Sequence, residues 1–350
     1  MNKLITTLSI ISAIILVSSC GNGNLPRAAK NELPCDVSTF DHIFEDVRAN
    51  GTEELDGLMV LKEGKVIYEK YNYGFGKDVK HALWSASKTF TSAAIGFAKQ
   101  DGLLDENDPI LKFFDEDEMP STPSDWLKSM TIKNLLTMSS GFAHDSPEAT
   151  WRNGGKDWVK VALSDSLTFE PGTRFAYNSM NTYLLSVIVS KVTGKKLADY
   201  LTEKLFKPLQ ITDWVWEESP QGYNCGGWGL YLRLEDLAKM GQFYLQKGKW
   251  NGKQLLDPEW IEASMSAQIY QQDRTNATPE QIEKWDNSDW GCGYGYQMWR
   301  CIKPSSARLD GAHAQLCIIC PDKNLVVATL SHANSGTIMA GVWKYIYDSL

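Results

Sequence analysis

An excess of basic charge is missing from this sequence. Its 350 residues hold 35 Lys and Arg against 43 Asp and Glu, for a formal net charge of −8. Binding to a phosphate backbone needs a positive face, so nucleic acid is excluded as a partner. Cysteine is sparse, seven in all, and histidine is sparser at five. No His-Glu-x-x-His occurs, nor any Cys/His spacing suited to zinc, so neither a metal nor another cofactor is expected. A glycine-rich phosphate loop is absent. So is Gly-x-Ser-x-Gly, the strained elbow that presents a serine above an α/β-hydrolase sheet. There is no internal repeat and no low-complexity tract. The apolar run from Leu4 to Val17 is too short to cross a bilayer comfortably. What the chain does have is aromatic mass, with 13 Trp and 14 Tyr. With 43% hydrophobic and 22% charged residues it reads as one large or two intimate globular domains.

Met1-Asn2-Lys3 gives a short positive start, and Leu4 to Val17 has the shape of a signal peptide's apolar region. The run ends Leu16-Val17-Ser18-Ser19-Cys20, which resembles the bacterial lipobox, where the cysteine is lipidated and becomes the new N-terminus. The expectation is a signal peptide over 1–19, a lipidated Cys20, and a tether over 20–35 that starts with the flexible Gly21-Asn22-Gly23-Asn24. That places the protein in a bacterial cell envelope, anchored on the periplasmic or cell-surface side of a membrane. An ordinary signal peptide with Cys20 incidental is the plainer alternative. Six cysteines remain, Cys35, Cys225, Cys292, Cys301, Cys317 and Cys320, and export would permit any of fifteen pairings. Cys317 and Cys320 lie in an apolar strand run, which favours core over a redox pair.

Leu58 to Leu61, a Lys62-Glu63-Gly64-Lys65 turn and Val66 to Tyr68 read as a β-hairpin. Leu316 to Cys320, a Pro321 to Asn324 turn and Leu325 to Leu330 read as a second, and a helix over Thr337 to Tyr347 closes the chain. Between the hairpins the apolar spacing predicts helices over Thr89–Gln100, Thr131–Met138, Asn181–Val192 (capped by Gly194), Leu197–Phe206 and Arg233–Tyr244. The fold class is therefore α/β in the α+β sense. One antiparallel sheet is built from both termini and flanked by helices, with a mainly helical insertion. A catalytic domain over 36–350 would divide into an α/β part at 36–100 and 226–350 and a helical part at 101–225.

One nucleophile arrangement survives inspection: Ser85-Ala86-Ser87-Lys88, where a strand-like entry meets the predicted helix. Residues three apart share a helix face, so Lys88 can sit beside the Ser85 hydroxyl. Burial and a helix N-terminus both disfavour the ammonium, leaving an amine able to take the serine proton. The Ser85 backbone N–H can serve half of an oxyanion hole. A second element, Pro171-Gly-Thr-Arg-Phe-Ala-Tyr177-Asn-Ser179-Met-Asn181, places a loop phenol ahead of a helix, where Tyr177 is either a proton shuttle or a packed aromatic.

These pieces, with Gly102-Leu-Leu-Asp-Glu-Asn-Asp-Pro, Ile132 to Gly141, Gly226-Gly-Trp-Gly-Leu, Tyr294-Gly-Tyr-Gln-Met-Trp299 and Asp310-Gly-Ala-His-Ala-Gln315, come in a fixed order. From about Leu58 onward the chain resembles the serine β-lactamase superfamily, on the class C-like branch that holds esterases, D-aminopeptidases and 6-aminohexanoate-dimer hydrolases. The resemblance implies the β-lactamase and penicillin-binding transpeptidase-like fold, with a cleft between sheet and helical part. It implies Ser85 as acylated nucleophile, Lys88 as its base and Tyr177 as general base and acid. Two departures stand out. The branch's Tyr-x-Asn is Tyr177-Asn178-Ser179 here, while Ser179-Met180-Asn181 spells the Ser-x-Asn of class A enzymes. The Lys/His-Ser/Thr-Gly motif is missing, and Ser305 to Gly311 stands in its place. Arg308 is then either the substitute cation or a solvated edge charge, and Asp310 either orients it or makes a turn. Gly311, His313, Trp299 and Trp228 are candidate cleft residues, with core as the alternative for His313 and the two tryptophans.

The reading implied is a lipid-anchored serine hydrolase that takes a small-molecule or peptide-like ester or amide through a Ser85 acyl-enzyme. The alternatives are a penicillin-binding D-amino-acid peptidase or β-lactamase, or a non-catalytic sensor that kept the fold.

Overall fold

The computed structural model describes residues 23–51, 53–142, 155 and 157–350. The expected signal peptide, Cys20 and the first residues of the tether lie outside them. Six antiparallel strands form the main sheet, in the spatial order β2-β1-β11-β10-β9-β8. They are β1 (Leu55–Lys62), β2 (Lys65–Tyr71), β8 (Trp299–Arg300), β9 (Ala307–Gly311), β10 (Gln315–Cys320) and β11 (Leu325–Ser331). The first and last hairpins meet at β1 and β11, with Leu58 opposite Thr329 and Val60 opposite Val327. Both termini therefore complete one sheet. The β1–β2 turn places Glu63 and Gly64 at φ 52° and 78°, the double left-handed geometry that matches strand twist in a tight hairpin. Two small sheets accompany it, one of β3 (His81–Ala82), β4 (Val215–Trp216) and β5 (Leu230–Leu232), the other of β6 (Lys249–Trp250) and β7 (Lys253–Gln254).

Strand alternation sends side chains to two buried faces. Leu58, Val60, Leu316, Ile318 and Val327 pack with α1 (His42–Ala49) and the C-terminal helix. Met59, Leu61, Cys317, Ile319, Val326 and Ala328 pack against the helices between the hairpins. Removing one of these side chains, as in Ile318→Ala, would cost about 2–5 kcal/mol. The alternation also settles the cysteine pair: Cys317 and Cys320 are buried on opposite faces, and neither is in a disulfide.

The helices that position the site are α2 (Ser87–Gln100), α3 (Ile132–Leu136), α4 (Ser179–Thr193) and α5 (Leu234–Leu245). α5 lies directly on the sheet, since a Cβ at Gly241 would sit 2.4 Å from Cys317 Sγ. α4 begins two residues earlier than its apolar spacing indicated, because the Asn178 side chain accepts the Met180 N–H and caps it. It ends where expected, on Gly194 at φ 67°. The last helix is α6 (Ser335–Gly341), which widens into a π turn over Val342–Ile346 instead of running on as a regular α-helix.

Candidate active site

β3 leads straight into the site. His81 and Ala82 pair with β5, and the Leu83 N–H donates to Leu230 O at 2.8 Å. Trp84 to Ala86 then form one tight 3-10 turn before α2. Trp84 takes φ +48°, a left-handed conformation that costs a side-chain-bearing residue energy. The surroundings hold it there: Ala86 N–H donates to Leu83 O at 3.0 Å, and Leu230 N–H donates to the buried Ser87 hydroxyl at 3.3 Å. Ser85 is thereby fixed, half-buried, at the entry to α2.

Lys88 follows one turn later and is 1% exposed. Its Nζ lies 3.0 Å from Ser85 Oγ, 3.0 Å from Ser179 Oγ and 2.9 Å from Gly227 O. Gly227 has to be glycine, since a Cβ there would come within 2.9 Å of Ser179 O and 3.5 Å of the lysine nitrogen. Tyr177 covers the same nitrogen from another side, with its ring centroid 4.9 Å away. The phenol ring stacks on Trp299 at 5.7 Å and 26°, and meets Tyr294 edge-on at 6.2 Å. Burial, and then the nearby Tyr177, push the Tyr294 phenol well above its ordinary pKa, so it is a neutral wall. The Tyr177 loop is tied down by Ala176 N–H to Met138 O (2.8 Å) and Gly172 N–H to Ser139 O (2.7 Å).

Behind the site one buried residue fastens four segments. The Gln297 amide donates to Leu135 O and Leu136 O, its Oε1 accepts from Thr182, and its backbone O accepts from Thr89. α2, α3, α4 and the approach to β8 are thus held in one register around Lys88.

A family model described as Beta-lactamase matches residues 40–348. The chain belongs to the Beta-lactamase family. Among curated relatives of this β-lactamase-family chain, Protein flp of Staphylococcus aureus strain MW2 is 31% identical over 186 residues, 49% of this chain and 36% of that protein. The matched stretch thus spans about a third of the flp sequence. The 6-aminohexanoate-dimer hydrolase of Paenarthrobacter ureafaciens is 23% identical over 295 residues, 79% of this chain and 72% of that one. Among solved structures, EstCE1, a hydrolase with promiscuous acyltransferase activity, shares the fold with a TM-score of 0.68 at 15% identity, covering 88% of this chain and 98% of that one.

The structure of this family member brings Ser85, Lys88, Tyr177 and Ser179 together, with Trp299 half-buried against Tyr177. It separates Asn181 from them. That side chain is fully buried on α4, and its amide donates to Met138 Sδ at 3.5 Å. Arg308 is corrected too, being neither a cleft cation nor a solvated edge charge. It is fully buried, with Nε on Asp310 Oδ2 at 2.8 Å and Nη1 on Asp289 O at 2.7 Å. Burial opposes its charge, but the Asp310 carboxylate beside it more than offsets that and keeps it protonated. Trp228 is core, 7% exposed and packed on Trp158 at 6.0 Å. Gly311 abuts the nucleophile turn, where a Cβ would sit 2.1 Å from Leu83 O. His313, at φ +61°, is exposed and packs edge-on against Trp84 at 5.8 Å. Among the described residues no cluster of His, Cys, Asp or Glu is arranged to hold a metal ion. Gly227 and Gln297 belong to no catalytic motif, although both fall inside segments that define the resemblance.

Proposed function

We propose that the chain is a serine hydrolase that cleaves an ester or amide through an acyl-enzyme on Ser85. The observation that carries this reading is the Lys88 nitrogen, almost wholly buried and 3.0 Å from the Ser85 hydroxyl. Burial favours a neutral amine, which accepts the serine proton as Oγ attacks the carbonyl carbon. Gly227 O and Ser179 Oγ orient that amine. The tetrahedral oxyanion is met by the Ser85 N–H and by a backbone N–H from the end of β9, where Gly311 packs on the nucleophile turn. Tyr177, beside Lys88, returns the proton to the leaving alcohol or amine. Water then attacks the acyl-enzyme by the same route in reverse.

The buried Arg308 leaves the β9 side of the site without its expected cation, which favours neutral esters and amides over β-lactams. The named activities of the 6-aminohexanoate-dimer hydrolase and of EstCE1 are compatible with this reading. Export and anchoring through Cys20 belong to the same proposal and rest on the Leu16 to Cys20 sequence alone.

The test is fluorophosphonate labelling of wild type and Ser85→Ala, with a panel of p-nitrophenyl esters, D-amino-acid amides and nitrocefin. Labelling and ester turnover that vanish in Ser85→Ala support the hydrolase. Nitrocefin turnover above ester turnover would make it a β-lactamase. An unlabelled, inert wild type would make it a sensor.

A further inference from the structure

Trp299 stands on the outermost strand of the main sheet. β8 is two residues long, and its ladder pairs Trp299 with Arg308 and Arg300 with Ala307. So short an edge strand constrains the direction of its side chains little by itself. The indole is held by what packs against it. Residues directly opposite in an antiparallel pair put their side chains on one face, so Arg308 reaches across to Trp299. The guanidinium carbon lies 5.7 Å from the Trp299 ring and 5.0 Å from the Trp290 ring. Asp310 Oδ2, Asp289 O and Arg300 O fix its plane. Its Nη2 is buried and meets no hydrogen-bond acceptor among the described residues. A buried N–H group in that state is costly, and an indole face is the surface at hand that offsets the cost. Arg308 thus ties two tryptophans together.

The next ring inward is Tyr177. It stacks on Trp299 at 5.7 Å and 26°, and its centroid lies 4.9 Å from Lys88 Nζ. Tyr294 and Phe175 meet Trp299 edge-on, at 5.1 and 5.8 Å. The bond from Ala176 N–H to Met138 O fixes the loop backbone, but the tyrosine side chain keeps its own torsions beyond it. The rings that pack against the phenol decide those torsions. Proton transfer tolerates little error in them, because a displacement of about 1 Å can cost about a hundredfold in rate.

We infer that Trp299 is a positioning residue, which sets the Tyr177 phenol for proton donation, and that Arg308 braces its indole. The inference rests on the hydrolase reading, with Tyr177 as general acid. As the bond from the tetrahedral carbon to the leaving oxygen breaks, the Tyr177 hydroxyl gives that oxygen a proton. The phenol recovers a proton from the Lys88 ammonium, which took it from Ser85. A weakly basic leaving group departs without that proton, whereas an alkoxide needs it. A displaced phenol therefore slows alkyl esters more than nitrophenyl esters.

The experiment compares kcat/KM on ethyl acetate and p-nitrophenyl acetate, which share an acyl group and differ in the leaving group. Because kcat/KM ends at acylation, it reads the step in which the leaving group departs. Trp299→Leu is expected to lower the ethyl-to-nitrophenyl ratio by about ten- to a hundredfold. Trp299→Met, which fills more of the indole's volume without a flat face, takes its place should Trp299→Leu fail to fold. Trp299→Phe restores a flat face and should bring the ratio to within about threefold of wild type. Arg308→Lys keeps the charge but not the planar fork, and should lower the ratio by about three- to tenfold. In a Tyr177→Phe background, Trp299→Leu should leave the ratio where Tyr177→Phe alone puts it. A wild-type ratio in Trp299→Leu, or a further fall without the phenol, would overturn the positioning role. So would a larger loss on p-nitrophenyl acetate, which would make the indole a wall for the leaving group. A wild-type ratio in Arg308→Lys would overturn the brace. Failure of the hydrolase reading looks different: neither ester is turned over, fluorophosphonate leaves Ser85 unlabelled, and the positioning role falls with it.

Discussion

The two sides of the site are built by different means. On the α2 and α4 side, side chains meet Lys88: the Ser85 hydroxyl, the Ser179 hydroxyl and the Tyr177 ring. On the β9 side the nucleophile turn meets bare backbone at Gly311, and Arg308 of the same strand is turned inward onto Asp310. Activating a serine and selecting a charged substrate are therefore separable tasks here. In the proposed reaction the first side holds the chemistry, and β9 supplies shape and a backbone donor.

Substitutions on the lysine side should have the largest effect. Ser85→Ala and Lys88→Met are each expected to lower kcat/KM for a p-nitrophenyl ester by about 10³-fold or more, with the double variant little worse than either single one. Additive losses, or a Lys88→Met enzyme near wild-type rate, would remove the side-chain half of the comparison. Arg308→Met probes the other half. It leaves Asp310 without its buried partner, and the expected cost is about 3–5 kcal/mol of stability in urea unfolding. The ratio of rates on neutral and carboxylate-bearing esters should stay as in wild type. A stable variant that lost discrimination would put the guanidinium back in the cleft.

This asymmetry also explains what the sequence made legible. Both hairpins were readable because a strand buried on both faces gives a long apolar run bounded by turn residues. β3, β4 and β8 were not, since two residues carry no period. Ser85 and Lys88 stand three apart at a helix entry, a spacing that encodes a contact. That Ser179 reaches the lysine while Asn181 turns into the core depends on helix phase, which one cap decides. With Asn178 at the cap, Ser179 opens α4 facing Lys88, and Asn181 is rotated by about 200° into the core. Gly227 contributes a carbonyl and Gln297 a buried brace, and neither function leaves a motif. Arg308 was weighed as a charge in the cleft or at the edge. Its partner lay two residues on, which in a strand is the same face.

Ser179 acts on the same lysine at smaller scale. We treat it as a positioning residue, because its hydroxyl meets the lysine nitrogen. Ser179→Ala removes an oxygen that meets Nζ at 3.0 Å. The expected loss in kcat is about ten- to a hundredfold, the worth of a hydrogen bond to an ionisable group. The acid limb of the pH–rate profile should move with it, and Ser179→Thr should restore both. A variant that changes KM alone would show that the hydroxyl touches substrate instead.

The smallest effect tests the seam between the two sides. His81 on β3 enters the nucleophile turn, and its Nε2 lies 3.5 Å from Asp56 Oδ2 on β1. Burial, with His332 nearby, pushes the His81 imidazole down to about 4. Unfolded histidine titrates near 6.5, so between those values the unfolded chain binds the extra proton. Stability from this residue is therefore complete above about pH 6.5 and is lost as pH falls toward 4. Asp56, raised by burial, carries the opposite sign, so the informative quantity is a difference between two proteins. His81→Gln keeps a polar side chain at the position without the titration. The wild-type Tm should fall more steeply than that of the variant between about pH 6.5 and 4, and the two should run parallel above that window. Parallel curves throughout would mean that His81 takes its proton as readily folded as unfolded. The seam would then be open to water, and the nucleophile turn would have to be held by the Ser87 and Leu83 contacts without it.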